Sequence, residues 1–409
     1  MSEGNKWKTI VSMKTPRNGF GATSLGDKIY VAGGIDRNYN KFLSSAEVYD
    51  SKLNEWSPLP DIKKYRVGCG VTSVGGKVYV VGGKNFISMR CLASCEMFDP
   101  DTNEWTKIPD MKEERFGCAA CAIGDKLYVI GGHGGYGVRR SSVEVFDTIA
   151  QKWSSLPHMI TDRRECAAVS VGNKIYIFGG LYGSGGVKYL SSAEVYDTTT
   201  QEWTQLPDMR EKRRCCAATV VGNTIYVVGG SDDDMTYHSL CEVFDTSTNT
   251  WSSPIPDMNK ISPNCQAVTI GPKIYVMFVC SVSIPINSSG EVFEMPISSL
   301  YPTDANYVTV ESGYRSPKLL ENLCIDQICR SLPDLDGDIP PGKPQYIINA
   351  IVQSLVSRGA WNETTLKPFR HYNLDQLPLA GCRDESEEKL LSQSATLPGR
   401  ECKRFKPNL

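Results

Sequence analysis

The chain is poor in histidine, with 4 among 409 residues. They stand at His133, His158, His238 and His371, and no two of them share a metal-ligating spacing. No charge sign dominates: 44 Lys and Arg face 46 Asp and Glu, a formal charge of −2. Nucleic-acid binders and membrane-surface proteins need a basic excess or a basic stripe, so neither partner is expected. No apolar run approaches the roughly 20 residues of a membrane span. No Gly-rich phosphate loop is present and no base is placed beside a nucleophile, so no catalytic residue, cofactor or metal is expected. The opening residues, MSEGNKWKTIVSMK, lack the apolar core of a secretory leader. The 15 Cys are therefore expected as reduced thiols in the cytoplasm, or in the nucleus.

What is abundant is glycine, at 36, and tyrosine, at 19, a turn-rich β composition. Gly-Gly pairs begin at Gly33, Gly82, Gly131, Gly179 and Gly229, at intervals of 49, 49, 48 and 50. Each pair lies 26 residues after a tryptophan (Trp7, Trp56, Trp105, Trp153, Trp203). Glutamates at Glu47, Glu96, Glu144, Glu194 and Glu242 each precede a tryptophan by 9 residues, the last being Trp251. All the length variation, from 13 to 15 residues, falls between Gly-Gly and Glu. Constant spacings mark packed segments, and the elastic one marks a surface loop.

Each unit reads as four short strands. A G-C-A-A-like phrase is strand a, and K-[IL]-Y-V-[IV]-G-G is strand b, with Tyr30, Tyr79, Tyr128, Tyr176, Tyr226 and Tyr275 in register. S-A-E-V-[FY]-D is strand c, and the tryptophan sits on strand d. Strands this short cannot bury both faces alone, so the units must stack.

The Gly-Gly doublet, the spaced Tyr and the Trp resemble the kelch family over roughly residues 6–296. The resemblance implies an all-β, six-bladed β-propeller that binds proteins. Nine residues after Glu291 stands Leu300 rather than Trp, while Trp7 has no strand c ahead of it. Lys6–Ile10 is therefore expected to supply strand d of the last blade. The sixth unit has Phe278-Val279 in place of Gly-Gly, and a distorted blade is expected there.

Strand direction alternates, so the b–c loops and the d–a crossovers share one face. Ten residues after each Trp stand Arg17, Arg66, Arg115, Arg163 and Arg213, with Ser262 at the shifted sixth place. A ring of guanidiniums suits bidentate recognition of carboxylates. In kelch adaptors, arginines at this repeat position hold an acidic peptide, and the resemblance implies that role here. The alternative is that they pair with acids inside the blades and brace the loops. The b–c loops add Asp36, Arg37, Tyr39, Asn85, His133, Tyr136, Tyr182, Asp232 and Tyr237 as candidate contacts, against the alternative of solvated or packed loop side chains.

Cys69, Cys118, Cys166, Cys216 and Cys265 share one register position, which Phe20 fills in the first unit. A place that accepts Cys or Phe is apolar packing rather than a zinc site. The C-x-x-C of Cys118 and Cys121 lies on a strand, where residues three apart point to opposite faces.

Beyond 296 the period stops. The expected order is a linker over 297–315, a helical module over 316–382 and a disordered tail over 383–409. In the first helix Leu320-x-x-x-Cys324-x-x-x-Ile328 resembles the elongin-binding box of cullin–RING ubiquitin-ligase receptors. That resemblance implies elongin and a cullin as partners; the alternative is a helix pair that caps or dimerises. Leu374-x-x-Leu377-x-Leu379-x-x-Cys382 matches one leucine-rich-repeat phrase. No BTB or F-box domain is expected ahead of Trp7. The expected function is non-catalytic protein binding in a ligase adaptor, with a cytoskeletal or signalling scaffold and a propeller sugar isomerase as alternatives.

Overall fold

Strand b shows why the units stack. In Lys28–Ala32, alternate residues point to opposite faces. Ile29 and Val31 pack against the blade before, and Tyr30 and Ala32 against the blade after. All four are buried, which is why this strand reads as a continuous apolar run.

The structure, a computed structural model, describes residues 6–294 except 37, 136–139, 184–186, 253–254, 260–263 and 281–286. It contains six four-stranded antiparallel sheets. Blade 1 runs Gly21–Leu25, Lys28–Ala32, Ala46–Asp50, Glu55–Leu59 from the axis outward, and blades 2 to 5 repeat that order. The innermost strands adjoin one another in turn, and Cys265–Ile270 of blade 6 returns to Gly21–Leu25 of blade 1. The result is a closed ring, a six-bladed all-β propeller.

Closure is made by Lys8–Ile10, which pairs antiparallel with Asn287–Glu294 as the outer strand of blade 6 (Lys8 opposite Val292, Ile10 opposite Gly290). The tryptophans tether each blade to the previous one. Nε1 of Trp56, Trp105, Trp153, Trp203 and Trp251 donates to the carbonyls of Val11, Pro60, Pro109, Pro157 and Pro207 at 2.8–3.0 Å. Trp7 makes the same bond to Pro256 across the closure.

Blade 6 departs from the others through its missing doublet. Elsewhere the Gly-Gly pair takes positive φ, 69° and 98° at Gly33 and Gly34, and ends strand b. With Phe278-Val279 there, the strand continues through Lys273–Cys280 and pairs along its length with Asn287–Glu294. The blade is lengthened at this end. The linker 297–315, helical module 316–382 and tail 383–409 lie outside the described residues.

Candidate functional site

Two kinds of connection meet at one end of the ring, the b–c loops and the d–a crossovers. The five register arginines lie on the crossovers, yet each is 0% exposed. Arg66 shows the arrangement. Its Nη1 donates to the carbonyls of Gly82 and Ser94 at 2.7 Å each, and its Nη2 to Ser94 Oγ at 3.0 Å and Glu96 Oε1 at 2.9 Å. Glu96, buried on strand c, also accepts the crossover amide of Lys63 at 2.7 Å. Arg17, Arg115 and Arg163 repeat the pattern on Glu47, Glu144 and Glu194. Burial draws the Arg17 guanidinium below its ordinary value, against the pull of Glu47.

The expectation that Arg17, Arg66, Arg115, Arg163 and Arg213 contact a partner is therefore corrected. Their donors are spent on carbonyls, a serine and a carboxylate of the same blade, and they brace the crossovers as the alternative reading held. Arg213 differs at one atom. Leu240 stands where the other blades have Ser45, Ser94, Ser142 and Ser192, and Arg213 Nη2 is buried without a hydrogen-bond partner.

The same junction explains the glycine doublet. The amide of Gly34 donates to the Arg66 carbonyl of the next blade at 2.7 Å. A Cβ on Gly33 would stand 2.3 Å from that oxygen. Only glycine permits the approach.

Inside the arginine shell runs the axial channel, of about 520 Å³, lined by strand a of all six blades. Its walls are small and neutral: Thr23, Ser73, Ala120, Ser170, Thr219 and Gln266 among them. Burial pushes the thiols of Cys69, Cys121 and Cys166 up to about 12, so they are neutral donors at physiological pH. Among the described residues, no group of three or more His, Cys, Asp or Glu could hold a metal ion.

At the loop end the channel narrows to a mouth of about 180 Å³ that includes Asn18, Phe116, Glu165, Cys215 and Asn264. Backbone hydrogen bonds pass from blade to blade around it, from Gly68 N to Gly19 O, Gly117 N to Gly68 O, Glu165 N to Gly117 O and Cys215 N to Glu165 O, at 2.7–2.9 Å. Blades 4 and 5 place Glu165 (φ 56°) and Cys215 (φ 52°) in the left-handed conformation that Gly19, Gly68 and Gly117 adopt in blades 1 to 3. Their side chains meet at 3.2 Å, Cys215 Sγ to Glu165 Oε2.

The loop candidates divide. Tyr39 is 81% exposed at the tip of the hairpin Ile35–Asp36/Lys41–Phe42, and Tyr182 and Tyr237 are also exposed on their loops. Asn85 is half-buried and braces its own turn, its Oδ1 accepting the amides of Ile87 and Ser88. His133 lies edge-on to Phe116, 5.0 Å between ring centres, and burial pushes its imidazole below the ordinary value. Asp36 is buried and accepts the amide of Asn38. Asp232 accepts the amides of Asp234 and Thr236. Arg37 and Tyr136 fall outside the described residues, as do Leu320, Cys324 and Ile328.

Sequence reasoning overlooked Phe42, Phe86, Ile87 and Met89 on the first two loops. Their signal was present: apolar residues inside the elastic segment, where nothing in the repeat calls for a core.

Fold and face together define a kelch-type propeller. The KLHDC2/KLHL20/DRC7 Kelch-repeats domain matches residues 2–132 and 117–288, and the chain belongs to this kelch-repeat family. Propellers of this kind typically bind proteins. An F-box/kelch-repeat protein of Arabidopsis thaliana is 49% identical over 45 residues, 11% of this chain and 12% of that protein. Kelch-like protein 41a of Danio rerio is 50% identical over 46 residues, 11% of this chain and 7% of that protein. The matched segments thus span only a small part of either relative.

Proposed function

We propose that the propeller captures a protein partner on its loop-bearing face and presents it to a ubiquitin ligase. The observation that carries the binding part is where exposed apolar side chains gather. Tyr39, Ile87, Met89, Tyr182, Val187, Met235 and Tyr237 all lie on b–c loops, and Val11 and Ile160 on crossovers of the same face. Leu53 and Ile149 are the exposed large apolar residues of the opposite face among the described residues. Exposed apolar and aromatic residues collected on one face mark an interaction surface.

The ligase part rests on the sequence Leu320-x-x-x-Cys324-x-x-x-Ile328, whose apolar stripe suits a helix-in-groove contact with elongin. The name of the Arabidopsis relative couples a kelch repeat with an F-box in that protein. The test is an affinity pull-down from cytosol with the intact chain and with a Leu320→Ala/Cys324→Ala pair. Elongin and a cullin recovered by the intact chain alone support the adaptor. Recovery of neither makes the protein a kelch scaffold.

A further inference from the structure

The backbone bonds around the channel mouth repeat from blade to blade, but the side chains on them do not. Gly19, Gly68 and Gly117 of blades 1 to 3 leave one half of the mouth open against Val67 and Phe116. Blades 4 and 5 carry Glu165 and Cys215 at the same register, in a conformation that residues with a Cβ seldom take. Such outliers gather at functional sites.

Glu165 is the one charged side chain lining the mouth among the described residues. It is held from two sides. Its Cγ lies over Gly117, where an added Cβ would come within 3.2 Å. The Cys215 thiol donates to its Oε2, also at 3.2 Å. Its Oε1 accepts no hydrogen bond from the described residues. The side chain is 19% exposed, so water screens its charge poorly and a cation is favoured beside it. Arg214 Nη1 stands 3.9 Å from Oε2, but its Nε donates to Ser231 Oγ at 3.2 Å and its guanidinium lies over the Tyr189 ring. Neither Arg214 nor Arg164 lines the mouth.

Shape and chemistry narrow the ligand. With Oε2 taken by the thiol, the fork of a guanidinium finds no matching pair of oxygens, whereas the compact ammonium of a lysine needs only one. Val67 and the Phe116 ring suit its alkyl stem, and an aromatic ring beside an ammonium adds attraction. A cavity of about 150 Å³ accepts benzene, so the mouth, at about 180 Å³, has room for one such side chain. The apolar wall continues outward. Phe86 meets Phe116 edge-on at 6.0 Å and stacks on Phe42 at 5.3 Å. A polypeptide with one side chain in the mouth has this row, and exposed Ile87 and Met89 on the same loop as Phe86, for its neighbouring residues. That continuity favours a protein's lysine over a free amine.

We propose that the channel mouth takes a lysine side chain of the partner protein, its stem along Val67 and Phe116 and its ammonium on Glu165 Oε1. This rests on the reading that the loop face binds protein, and it assigns that face a cationic anchor.

The test is selection of short random-sequence peptides on the full chain, followed by affinity measurements. The expected peptides share a lysine. Acetylating it should weaken binding by about tenfold or more, and so should Glu165→Gln and Glu165→Gly. Glycine is the residue of blades 1 to 3 at this register, so Glu165→Gly should hold the thermal midpoint even if Glu165→Gln does not. In either variant acetylation should then change affinity little, because the two changes remove one contact. Arginine accepted as well as lysine overturns the single-oxygen site. Peptides that lack a lysine, or lose affinity with Ile87→Asp but not with Glu165→Gly, overturn the lysine and leave a protein-binding loop face. Cadaverine binding through Glu165 more tightly than any peptide overturns the source of the amine. No enriched peptide, or peptides indifferent to every mouth and loop variant, overturns both readings.

Discussion

The indole Nε1 of Trp7 donates to the carbonyl oxygen of Pro256 at 2.7 Å, across a separation of 249 residues. Five other tryptophans make the same bond to the blade before, but only this one joins the two ends of the propeller chain. Asn259 reinforces it, donating from Nδ2 to the Trp7 carbonyl at 2.9 Å. Trp7 also packs on Phe293, with ring centres 5.3 Å apart.

Trp7→Phe should keep most of the packing and lose the bond, lowering stability by about 1–2 kcal/mol. Trp7→Ala should cost about 3–5 kcal/mol. Urea unfolding of both variants checks this, and equal losses would mean that the bond contributes little.

Arg66 is a framework residue. Arg66→Met leaves Glu96 as an uncompensated buried carboxylate, and removal of one partner of such a pair costs about 3–5 kcal/mol. Denaturant midpoints should fall sharply for Arg66→Met, whereas exposed Arg90→Met should leave them nearly unchanged. An unaltered midpoint for Arg66→Met would restore the arginine ring as a free surface.

Gly33 and Gly26 separate backbone strain from crowding. Both have positive φ, 69° and 59°. A Cβ at Gly26 meets nothing within 4 Å, while at Gly33 it meets the Arg66 carbonyl at 2.3 Å. Gly26→Ala should cost about 1 kcal/mol from conformation alone, and Gly33→Ala several-fold more. Thermal unfolding of the two variants tests the ranking.

Leu240→Ser should stabilise blade 5. It restores the hydroxyl that accepts from the arginine in blades 1 to 4, and the buried Arg213 Nη2 now has no partner. A gain of about 1 kcal/mol is expected, read as a raised urea midpoint. The same change in Arg213→Met should give no gain, because the donor is gone.

The buried thiols set an alkaline limit. Cys69, Cys121, Cys166 and Cys265 are pushed up to about 12 from an ordinary value of 9.0 by burial. A folded value above the unfolded one means that the unfolded chain releases protons first as pH rises. Their contribution to stability is whole below pH 9.0 and falls away as pH climbs toward about 12. Unfolding by urea under reducing conditions should require less denaturant at pH 10 than at pH 8.

Much of the propeller was legible because its signals are short-range. Strand b alternates between two neighbouring blades, so its apolar run announced burial on both faces. The constant 26- and 9-residue spacings tied Trp, Gly-Gly and Glu to fixed places in the unit. The displaced Trp7 announced the closing strand. The site was less legible. Tyr39 proved exposed, but Asn85 and Asp36 fold back on their own turns, and nothing in a single repeat shows whether a loop side chain braces or projects.

By itself the sequence determined the repeat, the number of blades and the pairing of strands, because period and alternation are properties of neighbouring residues. Only the tertiary structure decided that Arg66 is enclosed. Its partners Gly82, Ser94 and Glu96 lie 16 to 30 residues along the chain, and its carbonyl is covered by Gly34 of the blade before. Nor does any local pattern foretell that Phe42, Phe86 and Phe116 form one row. They come from three blades, and ring closure brings them within reach.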